Sequence, residues 1–142
     1  MNRIKINLPN HYSFTTQLQI RVTDLNYGGH VGNDTVLSLL QEARQQFLQS
    51  RGFAELQIGP YGLIMADAMV EYKKELNHLD IINIAVVACD FDKLGFDIYY
   101  KVYLQNATEE IIAVKAKTGM MLFDYIAKKK VSLTDALIQQ LQ

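Results

Sequence analysis

One segment limits what this chain can fold into: residues 21–51, RVTDLNYGGHVGNDTVLSLLQEARQQFLQSR. A polar loop leads directly into a stretch where apolar residues recur with the period of an α-helix, and Gly52 is suited to end it. The pattern predicts a helix over about residues 34–51. Between residues 36 and 40 only Ser38 is polar, which favours burial of that half on most sides. The amino end of the helix, with its free N–H groups, should open onto whatever the loop binds.

The remaining sequence predicts five β-strands, because apolar residues alternate there with the two-residue period of a strand or form short apolar runs. These segments cover about residues 14–23, 62–75, 81–91, 96–104 and 111–123. Residues 1–12 form a lead-in, and residues 134–141 predict a short C-terminal helix. In the second strand Ile64, Ala66 and Ala68 should share one face, and the small alanines favour close passage of the helix across it.

The element order β-α-β-β-β-β predicts an α+β fold in a single domain spanning residues 1–142. Short turns join the last four strands, so these should be antiparallel neighbours or near neighbours. One helix cannot cover both faces of a five-stranded sheet. The sheet is therefore expected to curl around the helix and to leave its other face to solvent or to a partner.

Composition narrows the possible partners. The net charge of −1 gives no argument for a nucleic acid or an anionic membrane as partner. The single cysteine, Cys89, excludes an internal disulfide, and no apolar run resembles a signal peptide or reaches the length of a membrane span. We therefore expect a cytoplasmic protein. His11 and His78 stand alone without the spacing of metal ligands, so we expect no metal and no resident cofactor.

The loop and helix resemble those of the hotdog-fold acyl-CoA thioesterases, in the 4-hydroxybenzoyl-CoA thioesterase-like branch. The matching residues are Asp24-x-Asn26-x-x-Gly29-His30-Val31-x-Asn33, followed by Glu42-Ala43-Arg44 within the helix. The family pattern is roughly D-x-D-x-x-G-H-V-x-N and then E-x-R. The order of the later strands also fits, so the resemblance extends from residue 14 to about residue 130.

This resemblance implies a hotdog fold, in which a five-stranded antiparallel sheet wraps around one long central helix. It implies a homodimer joined edge to edge through the strand after the helix, residues 62–75, with two active sites at the interface. Dimers of this family often pair into tetramers. The acyl group would enter a slot beside the helix, and CoA, as part of the substrate, would reach it along a surface channel.

The chain departs from the family at Asn26, where the branch with a catalytic loop carboxylate has an acid. An amide cannot act as a nucleophile or base, but it can position water or hydrogen-bond a carbonyl. Two carboxylates remain as catalytic candidates. Asp24 could instead hold the loop backbone in an Asx-type turn. Glu42 could be catalytic, as on the helix of a second group of hotdog thioesterases, or could form a buried pair with Arg21 or His30.

The other loop residues each have two possible roles. His30 could be a general base or could shape the loop. Backbone N–H groups near Asn33 could hold the thioester carbonyl, as in the family, while the side chain of Asn33 or Asp34 could cap the helix. Gly28 and Gly29 would let the backbone approach a substrate, and Tyr27 could line the pocket or belong to the core.

These residues predict hydrolysis of an acyl-CoA or acyl-carrier-protein thioester to a free acid and a thiol, with the carbonyl held by amides at the helix start. Two alternatives stay open. One is an enoyl-thioester hydratase or dehydratase that uses His30 and Glu42. The other is a non-catalytic acyl-thioester binding protein, which the amide at position 26 favours.

Overall fold

The long helix predicted from the loop–helix segment is present as α1, Asn33–Ser50. The structure, a computed structural model, covers residues 1–142. The strands are β1 (Phe14–Gln19), β2 (Gly62–Tyr72), β3 (Ile81–Cys89), β4 (Gly95–Gln105), β5 (Glu110–Asp124) and β6 (Lys129–Lys130), and a second helix, α2 (Asp135–Leu141), follows. Neither helix is both long enough and apolar enough to cross a membrane.

All six strands form one antiparallel sheet in the order β1-β3-β4-β5-β2, with β6 paired to the end of β5. The α+β architecture, an antiparallel sheet with one long helix, is confirmed. All five predicted strands are present. The sixth is a pair of exposed lysines, Lys129 and Lys130, whose sequence has no alternation that could have predicted a strand.

The first strand ends at Gln19, earlier than the predicted residue 23. Val22–Asp24 form a 3₁₀ turn instead. The Asp24 carboxylate accepts a hydrogen bond from the Arg21 backbone N–H at 2.8 Å, which turns the chain back on itself. Apolar alternation continues past Gln19, but this side chain–backbone bond competes with strand pairing and ends it.

A β-bulge in β2 changes which of its side chains face inward, compared with the sequence prediction. Its register with β5 shifts between Met65 and Asp67, which leaves Ala66 as an extra residue. Met65 and Ala68 are both paired with buried β5 residues and therefore share the inner face. Ile64, predicted on that face, lies on the outer one. The alternation of β2 is thus inverted at the bulge.

Helix α1 packs over β1 and β3, and not over the alanines of β2 as the sequence suggested. Its buried side chains are Val36, Leu39, Leu40, Ala43, Arg44, Phe47 and Leu48. They join the inward residues of β3, β4 and β5 in one core. The expected burial of the first half on most sides is wrong at Leu37 and Ser38, which are exposed. Met65 and Ala68 on the inner face of β2 are exposed as well.

A buried polar network joins α1 to the sheet. Arg44, only 6% exposed, donates to the Glu55 carboxylate at 2.6 Å and to the Tyr100 hydroxyl at 3.2 Å. The Tyr100 hydroxyl also lies 2.9 Å from the Thr118 hydroxyl. Burial would lower the pKa of Arg44, but its interactions with Tyr100 and Glu55 raise it overall, so the guanidinium stays charged. Arg44 therefore joins the helix directly to β4, and through Tyr100 and Thr118 to β5.

Tyr100→Phe should lower the free energy of unfolding by about 1–3 kcal/mol, because Arg44 and Thr118 would each lose a buried partner. Urea unfolding at fixed protein concentration measures the change. Tyr99→Phe is the matched control, because the Tyr99 side chain lies on the opposite face of β4 and its hydroxyl makes no hydrogen bond within the chain. Equal losses in the two variants would contradict the role assigned to the network.

Candidate functional site

The loop between β1 and α1 is closed by its own backbone. An isolated bridge pairs Leu25 with Val31. Within it, the Asn26 N–H donates to the His30 carbonyl at 2.8 Å, and the Gly29 N–H donates to the Asn26 carbonyl at 3.0 Å. Gly29 has φ +80°, a conformation that a residue with a side chain adopts only with strain. The glycine is thus required by the tight turn.

Asn26 lies beside the start of α1. Its Cβ is 3.7 Å from the position that a Cβ on Gly32 would occupy. Its side-chain oxygen accepts from the Gly28 N–H at 2.9 Å, which forms an Asx-type turn. The Asn26 Nδ2 group donates no hydrogen bond within the chain and is free to meet a ligand or water.

The amino end of α1 has no side-chain cap. Its N-cap residue is Gly32, where a Cβ would lie 2.5 Å from an Asp34 carboxylate oxygen. The predicted capping role of Asn33 is therefore not found: its side-chain oxygen accepts instead from the neighbouring Asp34 N–H at 3.0 Å. The N–H groups of Asn33 and Thr35 donate to no acceptor within the chain. Two backbone donors are left unpaired at the positive end of the helix dipole.

A cleft of about 270 Å³ opens beside this helix start. It lies between the first turn of α1, the end of β2 with the turn that follows, and β5. Its lining residues are Val31, Asn33, Val36, Tyr72, Lys73, Lys74, Glu75, Leu76 and Val114. Most of the walls are apolar, and Asn33 forms part of the lining. Of the predicted site residues only Asn33 lines this cleft; Asn26, Gly28, Gly29 and His30 lie outside its lining.

His30 joins the loop to the turn after β2. One ring nitrogen, Nδ1, lies 3.0 Å from the Asn77 side-chain oxygen, and Nε2 lies 3.4 Å from the Glu75 carboxylate. Both nitrogens thus lie near side-chain oxygens of the turn after β2. Beside it, the Val31 N–H donates to the Leu76 carbonyl at 3.0 Å. This arrangement fits a loop-holding role better than a general base, which needs a free nitrogen.

Asp24 is buried and fully engaged. Besides the Arg21 backbone bond, its carboxylate accepts from the Arg21 guanidinium at 3.2 and 3.4 Å. Burial alone would raise the pKa of Asp24, but these hydrogen bonds and the Arg21 charge hold it below the usual value. The Asp24 carbonyl also accepts from the Gly32 N–H at 3.2 Å. The residue therefore builds the junction between β1 and the helix start.

Glu42 is exposed on α1 and forms neither of the buried pairs considered for it. Its carboxylate accepts from the Gln46 side chain at 2.8 Å, and no cation lies within ion-pair distance. With Ser38 and Gln41 it lines an open hollow on the polar side of the helix. Nine residues of helix separate it from Asn33, which is about 14 Å along the axis. Glu42 therefore does not reach the amides of its own helix start.

At two further residues, Tyr27 and Tyr72, the structure differs from the sequence analysis. Tyr27, a candidate for the pocket wall or the core, is fully exposed and lies outside the cleft lining. Tyr72 was not predicted as a site residue. Its hydroxyl donates to the Asn33 carbonyl at 2.8 Å, and burial together with the Asp34 charge raises the pKa of that hydroxyl. This contact joins residues 39 apart in sequence, so local pattern gave no signal for it.

Comparison with known proteins supports the resemblance in both family and fold. The profile of the thioesterase-like superfamily matches residues 20–141. A hypothetical protein from Aquifex aeolicus has a TM-score of 0.81 and 23% identity, over 92% of this chain and 100% of that chain. A 1,4-dihydroxy-2-naphthoyl-CoA thioesterase from Synechocystis has a TM-score of 0.79 and 18% identity, over 90% and 94%. No curated protein sequence matches significantly.

A third solved structure is a 4-hydroxybenzoyl-CoA thioesterase with one aspartate replaced by asparagine, complexed with 4-hydroxybenzoyl-CoA. It has a TM-score of 0.81 and 13% identity, over 91% of this chain and 98% of that chain. At these identities the structural likeness supports the hotdog fold, and the profile match supplies the family. Because that match runs from the end of β1 through the loop, α1 and the sheet into α2, the chain belongs to the thioesterase-like superfamily.

Proposed function

We propose that this protein hydrolyses an acyl thioester of CoA or of an acyl-carrier protein, releasing a free acid and a thiol. The observation that carries the proposal is the uncapped start of α1. The unpaired N–H groups of Asn33 and Thr35 lie at the positive end of a helix, and Asn33 also lines the adjacent cleft. Such donors stabilise the negative charge that develops on a thioester oxygen during attack by water.

In this proposal Asn26 orients the attacking water or the carbonyl. Its Nδ2 group is free, and its position beside Gly32 keeps it near the helix start. An amide does not take a proton from water, so a carboxylate has to act as the base. Of the two carboxylates predicted as catalytic, Asp24 is held by Arg21, whereas Glu42 is accessible.

Glu42 can serve the reaction only from a second subunit, because it lies too far along α1 from its own helix start. We infer a homodimer formed through the edge strand β2, whose inner-face residues Met65 and Ala68 are exposed in the single chain. Pairing two such edges would bring a second helix towards the open inner face. The proposal includes a further association of dimers into a tetramer and action in the cytoplasm. CoA is part of the substrate, and no separate cofactor is needed.

In this proposal the acyl group binds in the cleft, beside Tyr72 and Val114. Two structural relatives are named for aromatic acyl-CoA substrates, 1,4-dihydroxy-2-naphthoyl-CoA and 4-hydroxybenzoyl-CoA. Their likeness to this chain makes aromatic acyl-CoAs the first substrates to test, ahead of short and long alkyl chains.

A second candidate is a non-catalytic acyl-thioester binding protein. One specific observation favours it: the loop residue beside the helix start, Asn26, is an amide, and neither Asp24 nor Glu42 offers a free carboxylate there. The hydratase alternative is weaker, because the structure holds His30 at the helix start and Glu42 about 14 Å along the axis from it.

The purified protein should release free thiol from at least one member of a panel of aromatic, short-chain and long-chain acyl-CoAs and acyl-carrier proteins. A chromogenic thiol reagent follows the release, with protein alone as the blank because Cys89 is a free thiol. Binding of acyl-CoA without turnover of any panel member would support the binding-protein alternative and reject hydrolysis.

Asn33→Pro tests the helix-start amides directly. Proline is well suited to the first position of a helix, and Gly32 already has the extended φ/ψ of −63°/144° that a residue before proline requires. The substitution removes the Asn33 N–H, so kcat should fall by about 100- to 1000-fold. Asn33→Ala is the control, because it removes the side chain and keeps the N–H. Equal activity of the two variants would contradict donation by this amide.

Asn26→Asp should raise kcat by about tenfold or more, because it adds an acid of the same shape beside the positive helix end. The retained oxygen can still accept from Gly28, so the turn should survive. Asn106→Asp is the matched control: Asn106 forms the same kind of side chain–backbone turn, accepting from Thr108 and Glu109 on the β4–β5 connection. A gain in both variants, or in neither, would contradict the role given to position 26.

A further inference from the structure

The start of α1 is held from the sheet side by one hydroxyl. Tyr72, the last residue of β2, donates to the carbonyl of Asn33, the first residue of α1, at 2.8 Å. Its ring also forms part of the cleft lining. Tyr72 is 53% exposed, so burial does not explain why its hydroxyl is directed at this carbonyl.

The carbonyl that Tyr72 contacts belongs to a peptide unit fixed at both ends. This unit joins Asn33 to Asp34. Its oxygen accepts from Tyr72, and its N–H donates to the Asn33 side-chain oxygen at 3.0 Å. The two unpaired N–H groups, of Asn33 and Thr35, lie immediately before and after this unit. Each neighbouring N–H turns relative to this unit only through φ and ψ, which the helix confines, so holding the unit limits the directions of both free donors.

Other restraints on the first turn are few. Gly32 provides no side-chain cap, and its N–H is held by the Asp24 carbonyl on the loop side. Helix ends without such anchors fray, and their backbone hydrogen bonds open most easily. The Tyr72 bond is the contact that ties the first turn of α1 to the edge strand β2.

We propose that Tyr72 is a positioning residue for thioester hydrolysis, and that its hydroxyl orients the Asn33 and Thr35 amides towards the cleft. The inference rests on the proposed function. It assigns Tyr72 no contact with the reacting atoms. A donor that is free but misdirected stabilises the developing oxyanion poorly, whereas the ground-state thioester depends much less on it.

Tyr72→Phe removes the hydroxyl and keeps the ring in the cleft wall. We expect kcat to fall about tenfold, while KM stays within about twofold and Tm within about 2 °C. Hydrogen exchange of the amides in residues 33–37 should become about fivefold faster, because the first turn loses its tie to β2.

Tyr125→Phe is the matched control. The Tyr125 hydroxyl donates to the Leu63 carbonyl at 3.3 Å, which is the same kind of bond at the opposite end of β2 and away from the cleft. This variant should change neither kcat nor exchange at residues 33–37. Unchanged kcat and unchanged exchange in Tyr72→Phe, or equal effects in both variants, would overturn the proposal.

The exchange measurement separates this inference from the proposed function. If the wild-type protein hydrolyses no thioester, hydrolysis fails and the positioning role fails with it, while faster exchange in Tyr72→Phe alone would still support the contact as the anchor of the helix start. If the wild-type protein is active and Tyr72→Phe changes exchange but not kcat, the amides need no such orientation and the positioning role is rejected.

Discussion

The site depends on a helix that begins without a side-chain cap. Gly32 leaves the first turn of α1 open, and a side chain there would crowd the Asp34 carboxylate. Two contacts from outside the helix hold its start instead. The Asp24 carbonyl accepts from the Gly32 N–H, and the Tyr72 hydroxyl donates to the Asn33 carbonyl. Capping groups would have consumed the very donors that remain free. The helix start thus lacks the stabilisation of a side-chain cap, and two of its amides stay available to a ligand.

The side chains around this helix start differ in the charge that they present to it. Asp24 is neutralised by Arg21 and serves the backbone, so its charge is not directed at the cleft. Asn26 provides donor and acceptor groups without a charge. Asp24 and Asn26 therefore add no free negative charge at the helix start, where the exposed Asp34 is the acidic residue of the first turn.

Much of the fold could be predicted from sequence because its signals are local. The helix bounds came within one residue, since apolar period and Gly52 mark them, and strands β3 to β5 followed from alternation and short turns. The loop before the helix was recognised from its own sequence motif, between Asp24 and Asn33. Prediction failed where distant residues decide the outcome. The bulge at Ala66 is set by pairing with β5, and the exposure of Glu42 and Leu37 is set by where α1 lies on the sheet.

The bulge in β2 has a consequence for how this fold can vary. Met65 lies before it and Tyr72 after it, so both face inward although they stand seven positions apart, an odd spacing. Loss of Ala66 would remove the bulge and leave both residues on the inner face. One residue inserted into the regular part of the strand would instead turn Tyr72 to the outer face, away from α1. The face on which the Tyr72 hydroxyl lies is therefore set by the number of residues in the regular part of β2. An insertion there is more disruptive than a substitution.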